Sequence, residues 1–349
     1  MIKSHGWVVA KASRGVYSPD CLSWEERPVP EPGPDHVLVK TAFLSLDPTS
    51  RNWLKLEPHA QYLPIKIGDV MLGVAIGEVV ATRSPRFVVG DLVTGMWGWA
   101  DYSVASQDYL ERVIPQAGEP LESYLSIFSH VGRAAAIGLL EIGRLKPGDA
   151  VLISGAAGAT DALAAQIAKA RGNRVVGIAG GKKKCEVLLN ELHLDSAIDY
   201  KTQDVGLEIG RLFPEGVDVF FDNAGGPTLD AVLAHMAIGC RIVICGAMSQ
   251  YDLPDEAGAY GCKNLPQLLF RRGRIEGFVV PQFQDRMGEF DAILHRLYAE
   301  GKLRSRAHVV EGLENAPVAL KMLFAGANDG KLMVRVGDAA VRPTGRKRT

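Results

Sequence analysis

From about Tyr124 onward, short apolar runs alternate with helix-length segments: "DAVLISG", "RVVGIAG", "SAIDY", "VDVFFDN", "RIVICGA" and "RIEGFVV". No other feature constrains the fold as much. A strand covered on both faces reads as an unbroken apolar run, and an intervening helix carries the chain back across the sheet. The segment therefore predicts an α/β fold with a parallel, doubly wound sheet. Residues 1–123 read differently. Runs such as "HVLVKTAFLSL" and "GEVVATRSPRFVVGDLVTGMWGWADYSVA" are broken by Gly, Pro and Asp, which predicts a mostly antiparallel, partly barrel-like domain. After about Leu303 the text returns to short extended runs, "AHVVEGL" and "KLMVRV", around a helix "ENAPVALKMLFAG". This tail is expected to rejoin the first domain. The chain of 349 residues thus reads as two domains, each of roughly 150 residues or somewhat more: 1–123 completed by 303–349, and 124–302.

A formal charge of −1 provides no electrostatic footprint for nucleic acid or an anionic membrane. Nor does the sequence hold an uninterrupted apolar run long enough to span a bilayer or a cleavable leader, so the chain is read as soluble and cytoplasmic. Cys21, Cys185, Cys240, Cys245 and Cys262 stand apart without a C-x-x-C pair; they are read as buried free thiols rather than a disulfide or zinc framework. The final "VRPTGRKRT" reads as a solvated basic tail.

The chemistry begins at "VLISGAAGATDALAAQIAKA" (151–170). A buried strand, Gly155 and Gly158 where the backbone must turn and approach a ligand, and then a helix are the parts of a phosphate-cradling turn, with Thr160 and the helix N-terminus beside it. The next strand ends in Ala179, Gly180 and Gly181, where an NAD site would carry an acid for the ribose 2′-hydroxyl. Lys182, Lys183 and Lys184 follow instead, and a cation there suits the 2′-phosphate of NADP.

One residue conflicts with this pattern. Asp161 occupies the third glycine position of the fingerprint. At about 100° per residue, Thr160, Leu163, Ala164, Ile167 and Ala168 form the sheet-facing stripe, and Asp161 falls on its flank. A carboxylate about 5 Å from a phosphate charge costs roughly 3 kcal/mol at an effective dielectric of about 20, and about 1 or less in water. Asp161→Gly is therefore expected to tighten NADPH binding.

With these pieces placed, the chain resembles the zinc-independent medium-chain dehydrogenase/reductases, in the branch of the prostaglandin and 2-alkenal double-bond reductases. The resemblance rests on "LSLDPTSRNWL" (44–54), "VGDLVTGMWGWADYSV" (89–104), "GLLEIGRLKPGDAVLISGAAGA" (138–159), "VVGIAGGKKKC" (175–185), "AIDYK" (197–201), "FFDNAGG" (220–226), "IVICGAMSQY" (242–251), "RIEGFVV" (274–280) and "GANDGKLMVRV" (326–336). It implies a GroES-like β-barrel domain joined to a Rossmann domain. By position it implies that Ala156, Ala157, Gly158 and Ala159 hold a pyrophosphate, while Lys184 and Tyr200 bind the 2′-phosphate. Asn223, the stretch Cys245, Gly246, Ala247, Met248, Ser249, Gln250 and Tyr251, the stretch Phe278, Val279 and Val280, and Asn328 would line the rest of NADP. A zinc set cannot be assembled: His59 and His130 have no cysteine partners nearby, and no metal is expected.

The family's activity implies hydride transfer from NADPH to an α,β-unsaturated ketone or aldehyde, aided by a hydroxyl donor. This chain departs from the family at that point. "DPYMR" reads "DPTSR", which puts Thr49 in place of a tyrosine; Ala134 and Ala136 replace Thr and Tyr; Phe270 stands where some relatives have tyrosine. Tyr251 is the preferred orienter or proton relay, Thr49 a weaker hydroxyl candidate, and Arg51 is read as structural. A quinone reductase and an NADPH-binding sensor with little turnover are the competing readings. A homodimer is expected by analogy alone.

Overall fold

The structure, a computed structural model, describes residues 2–56, 64–116, 119–253 and 258–337. His59 and the basic tail therefore lie outside the described residues. The chain divides into two units. One takes the chain up to Leu125, then Ala307–Asn328 and the chain from Leu332; the other takes Ser126–Arg306 and Asp329–Lys331. The divisions fall at 125 and 307 rather than 123 and 303, and three residues of the tail join the second unit.

In the first unit, β1 (Lys3–Val9) pairs antiparallel with β2 (Leu22–Pro28). A larger sheet contains β3 (His36–Ser45), β4 (Leu72–Thr82), β5 (Leu92–Gly98), β6 (Tyr102–Ser106) and β7 (Leu110–Val113), and the tail adds β14 (Ala307–Glu311) and β15 (Lys331–Arg335). Antiparallel pairings join β3 to β4, β6 and β15. Trp53, Trp97 and Trp99 are buried here with Leu44, Val39 and Met71, while Trp7 packs against this core and Trp24 stacks on His5. Thr41 makes one buried polar link tolerable: Trp97 Nε1 donates to its Oγ1 at 3.0 Å, and that hydroxyl donates to the Ala100 carbonyl at 2.7 Å.

The second unit is a six-stranded sheet in which every pair is parallel. Its strands are β8 (Ala150–Ile153), β9 (Arg174–Ala179), β10 (Ser196–Asp199), β11 (Val217–Asp222), β12 (Met236–Ile244) and β13 (Arg274–Gly277), in the spatial order β10-β9-β8-β11-β12-β13. Five of the six runs singled out in the sequence contain a whole strand; the sixth, "RIVICGA", holds only the last four residues of β12, which begins earlier, at Met236. Val151, Leu152, Ile153, Val219, Phe220 and Phe221 are essentially inaccessible, as central strands covered on both faces require. The strand order reverses between β8 and β11. The carboxyl ends of those two strands therefore form the switch-point crevice where doubly wound sheets hold ligands.

Helix α1 (Thr49–Trp53) belongs to the first unit, while α2 (His130–Ile137), α3 (Ala159–Ala170) and α4 (Lys182–Asn190) belong to the second. Among the described residues no helix is long and apolar enough to cross a membrane. All five cysteines are free, but only Cys21 and Cys240 are buried; Cys185, within α4, Cys245, just after β12, and Cys262, in a loop, are half-buried.

Candidate dinucleotide site

The strand β8 ends at Ile153, and Ser154 and Gly155 turn the chain toward α3. Gly155 has φ +58°, a left-handed conformation that costs a side-chain residue energy, and Gly158 caps the helix in extended geometry. The Gly158 amide donates to the Gly155 carbonyl, and the Ala156 amide to Ile178. Ala156 is buried, while Ala157, Gly158, Ala159 and Thr160 are only half-buried. A tight, partly open backbone turn leading into a helix N-terminus has the form of an anion cradle.

The floor of the crevice is a buried polar network. Ser154 Oγ donates to Asp222 Oδ1 at 2.7 Å and accepts from the amides of Asn223 and Ala224 at 2.8 and 3.0 Å. Asp222 also accepts from the amides of Ala224 and Gly225. Burial pushes this carboxyl above the usual range, and the amide and hydroxyl donors oppose the shift. Asp222 and Ser154 escaped the site reading, although the signal was present: each is a polar residue at the junction of an apolar strand and a Gly-containing turn.

Asp161 does not sit on an open flank, and the ground for expecting Asp161→Gly to tighten NADPH binding goes with it. The carboxyl is buried and bonded to Asn223, so its loss is expected to weaken binding instead. Asp161 is 5% exposed, because α3 buries Gln166 and Ala165 as well as its sheet-facing stripe. Its Oδ1 accepts from Asn223 Nδ2 at 2.7 Å. Its Oδ2 lies 2.8 Å from the point a Cβ on Gly158 would occupy. Burial, above all, raises its carboxyl well beyond the ordinary range; the Asn223 bond opposes this and Asp222 reinforces it. An amphipathic stripe identifies the most buried face of a helix and says nothing about what covers its sides.

On the adenosine side, Gly180 follows β9, and a Cβ there would lie 2.8–2.9 Å from the Tyr200 ring and hydroxyl. Tyr200 is 53% exposed and rests on that glycine. The Asp199 carboxylate holds the same corner by accepting from the Gly181 and Lys201 amides, which keep it below the usual carboxylate range. Lys184 is half-buried in the first turn of α4, whereas Lys182 and Lys183 are exposed. Burial pulls the Lys184 ammonium below its usual range, Asp329 raises it, and Lys201 lowers it further. Gly180→Ala is expected to swing Tyr200 aside, weakening NADPH binding about threefold to tenfold while moving the melting temperature little; equilibrium titration beside a thermal melt checks both.

At the other end, the Cys245 and Gly246 amides donate to the Asp222 carbonyl, and Met248 to the Asn223 carbonyl. Ser249 Oγ donates to the Ala224 carbonyl, and Gln250 Nε2 donates to Ser249. The Ala247 amide donates to Tyr251 Oη at 3.1 Å. Burial, Asp161 and Asp222 all push the Cys245 thiol upward. Phe278 lies close to Gly138, with Val279 and Val280 half-buried beyond it. The structure thus brings the 155–160 turn, Asn223 and 245–251 together at the ends of β8, β11 and β12, with Gly180, Lys184 and Tyr200 at the ends of β9 and β10. Thr49 and Asn328 belong to the first unit. Ala134 is half-buried and Ala136 buried on α2, and Phe270 is 69% exposed on the short helix Gln267–Arg271.

A second group of cations, absent from the sequence reading, lies against the turn. Arg304, Arg306 and Lys331 line a small cleft with Ala157, Gly158 and Ala159. Arg306 pairs with Glu191 at 2.9 Å and with Asp329 at 2.7 Å. Among the described residues no three His, Cys, Asp or Glu side chains could together hold a metal ion. The residues present fit a dinucleotide bearing a 2′-phosphate: a glycine turn that a Cβ would fill, a strand end without an acid, and a lysine beside it.

Comparison with known proteins agrees. Residues 5–113 match the family described as N-terminal domain of oxidoreductase, and 162–297 match zinc-binding dehydrogenase. The NADPH-dependent curcumin reductase of Escherichia coli (strain K12) is 35% identical, covering 96% of this chain and 97% of that protein. The 2-alkenal reductase (NADP(+)-dependent) of Nicotiana tabacum is 37% identical, covering 88% and 89%. The crystal structure of CurA in complex with NADPH from Vibrio vulnificus superposes with a TM-score of 0.89 at 32% identity, over 96% of this chain and 99% of that one. The chain belongs to the medium-chain dehydrogenase/reductase family, in its zinc-independent branch.

Proposed function

We propose that this protein is an NADPH-dependent reductase of the carbon–carbon double bond of α,β-unsaturated aldehydes and ketones. What carries the reading is a likeness over most of the chain to a 2-alkenal reductase, an alkenal being an α,β-unsaturated aldehyde, joined to a strand end that offers Lys184 and Tyr200 where an NAD site needs an acid. When bound, NADPH would supply the hydride for the β-carbon of such a substrate, the α-carbon taking a proton to give the saturated carbonyl and NADP⁺.

The protein's own residues bind, orient and hold charge. Lys184 and Tyr200 take the 2′-phosphate, the Gly155–Gly158 turn receives the pyrophosphate, and Asn223 with 245–251 lines the remainder. Tyr251, its oxygen fixed by the Ala247 amide, is the group we assign to orient the carbonyl or relay the proton, with Thr49 as the second hydroxyl. The protein would act in the cytoplasm as a homodimer. β13 is one of the two outer strands of the sheet, with Leu269 and Phe270 exposed on the helix before it, and sedimentation tests that association.

Steady-state NADPH oxidation against alkenals, enones and quinones tests the activity. Alkenals and enones are expected to exceed quinones in kcat/KM by at least about tenfold, and a reversed order would transfer the assignment to quinone reduction. Tyr251→Phe is expected to lower kcat about 10- to 100-fold, with NADPH affinity nearly unchanged.

A further inference from the structure

The function proposed for the chain makes no use of the carboxyl of Asp161. We propose that Asp161 is a positioning residue of the dinucleotide site: by accepting a hydrogen bond from the Asn223 carboxamide it fixes that amide at the end of β11, beside the turn assigned to the pyrophosphate.

The geometry supports this role. The bond from Asn223 Nδ2 to Asp161 Oδ1 is 2.7 Å long and joins the first turn of α3 to the strand end across the switch point. The second oxygen of the same carboxyl projects over Gly158 and Gly155, 2.8 and 3.5 Å from where their Cβ atoms would stand. The carboxyl therefore lies against the cradle itself. Asn223 in turn has its Oδ1 against Gly246, so its orientation relates two segments assigned to the cofactor.

Two carboxyls share this buried region, and their donors differ. Asp222 takes the Ser154 hydroxyl and the amides of Ala224 and Gly225. Asp161 takes the Asn223 amide and its own backbone N–H. The negative charge is better satisfied on Asp222, and burial together with Asp222 disfavours a second charge on Asp161. Among the described residues, the titratable groups acting on Asp161 are Asp222 at the end of β11 and Cys245 after β12. The Gly155–Gly158 turn and the preceding residues of α3 carry none. Both neighbours oppose a second charge. A neutral Asp161 does not repel a diphosphate, while an ionised one does. NADPH affinity is then flat below the Asp161 pKa and falls as pH rises through it.

The proposal rests on the NADP site and not on the acceptor. Its test needs no turnover, so an acceptor panel that fails leaves it readable. The full chain is titrated with NADPH, followed by the cofactor's own emission, from about pH 6.5 to 9.5. Wild type is compared with Asp161→Asn, which keeps an acceptor oxygen and cannot ionise, and with Asp161→Ala, which cannot accept. The expected result is a wild-type Kd within about twofold of that of Asp161→Asn at neutral pH, rising above it only where the carboxyl ionises. Loss of charge on Lys184 affects both proteins alike and cancels in the ratio. Asp161→Ala is expected to bind about fivefold more weakly than Asp161→Asn at neutral pH; should it fail to fold, the wild-type to Asp161→Asn ratio decides alone. Wild-type binding more than about twofold weaker than that of Asp161→Asn at neutral pH, or equal binding by the alanine and asparagine variants, overturns the proposal.

Discussion

Exchanging Lys184 for alanine is expected to weaken NADPH binding about 10- to 100-fold and NADH binding by less than about twofold. A hydrogen bond to a charged group contributes about 1.5–3 kcal/mol, and each 1.4 kcal/mol or so is a factor of about ten. NADH lacks the 2′-phosphate and has nothing for this ammonium to meet. Lys182 and Lys183 provide internal controls. Both are exposed, and Lys183 is 3.5 Å from Asp329, so alanine at Lys182 should change either affinity by less than about twofold. Equal losses of NADH and NADPH with Lys184→Ala would remove it from the 2′-phosphate. Because burial already lowers the Lys184 pKa, the preference for NADPH should fade earlier on the alkaline side than an exposed lysine would allow. The charge is lost as pH rises through the lowered value.

The second large effect concerns stability. Asp222→Ala is expected to destabilise the protein by about 3–5 kcal/mol, seen as a lower denaturation midpoint in far-UV circular dichroism. Asp222 is fully buried, and its removal strands the Ser154 hydroxyl and the Gly225 amide away from water, while the Ala224 amide keeps Ser154 Oγ as an acceptor. Each such orphan costs about 1–3 kcal/mol. Ser154 would also lose the partner that orients it toward Asn223 and Ala224. A loss below about 1 kcal/mol would mean that water or a backbone shift satisfies these donors.

The parallel sheet was legible in the sequence for a physical reason. Strands such as Val151–Ile153 and Val219–Phe221 are covered on both faces, so each must be apolar throughout and stands out between helices. The turn at Gly155 was legible because a left-handed backbone conformation selects for glycine. Asp161 was only partly legible. Its position in the first helical turn followed from counting, but its burial depends on Asn223, sixty-two residues away, and no local period encodes that partner. The same holds for Arg304, Arg306 and Lys331, which reach the turn from the far end of the chain. Ser154 and Asp222 could have been found. A polar residue closing an apolar strand just before a Gly-containing turn has its backbone neighbours as obvious partners.

All five tryptophans, Trp7, Trp24, Trp53, Trp97 and Trp99, lie in the unit that does not contain the parallel sheet. Tryptophan emission, excited at wavelengths that tyrosine does not absorb, is therefore a private reporter of that unit. Circular dichroism, in contrast, sums helices and strands from both. Overlaying the two signals through a single urea titration measures how far the halves of this chain unfold in concert, with no label introduced. A substitution confined to the parallel sheet, such as Asp222→Ala, would displace the two curves by different amounts if that concert is incomplete.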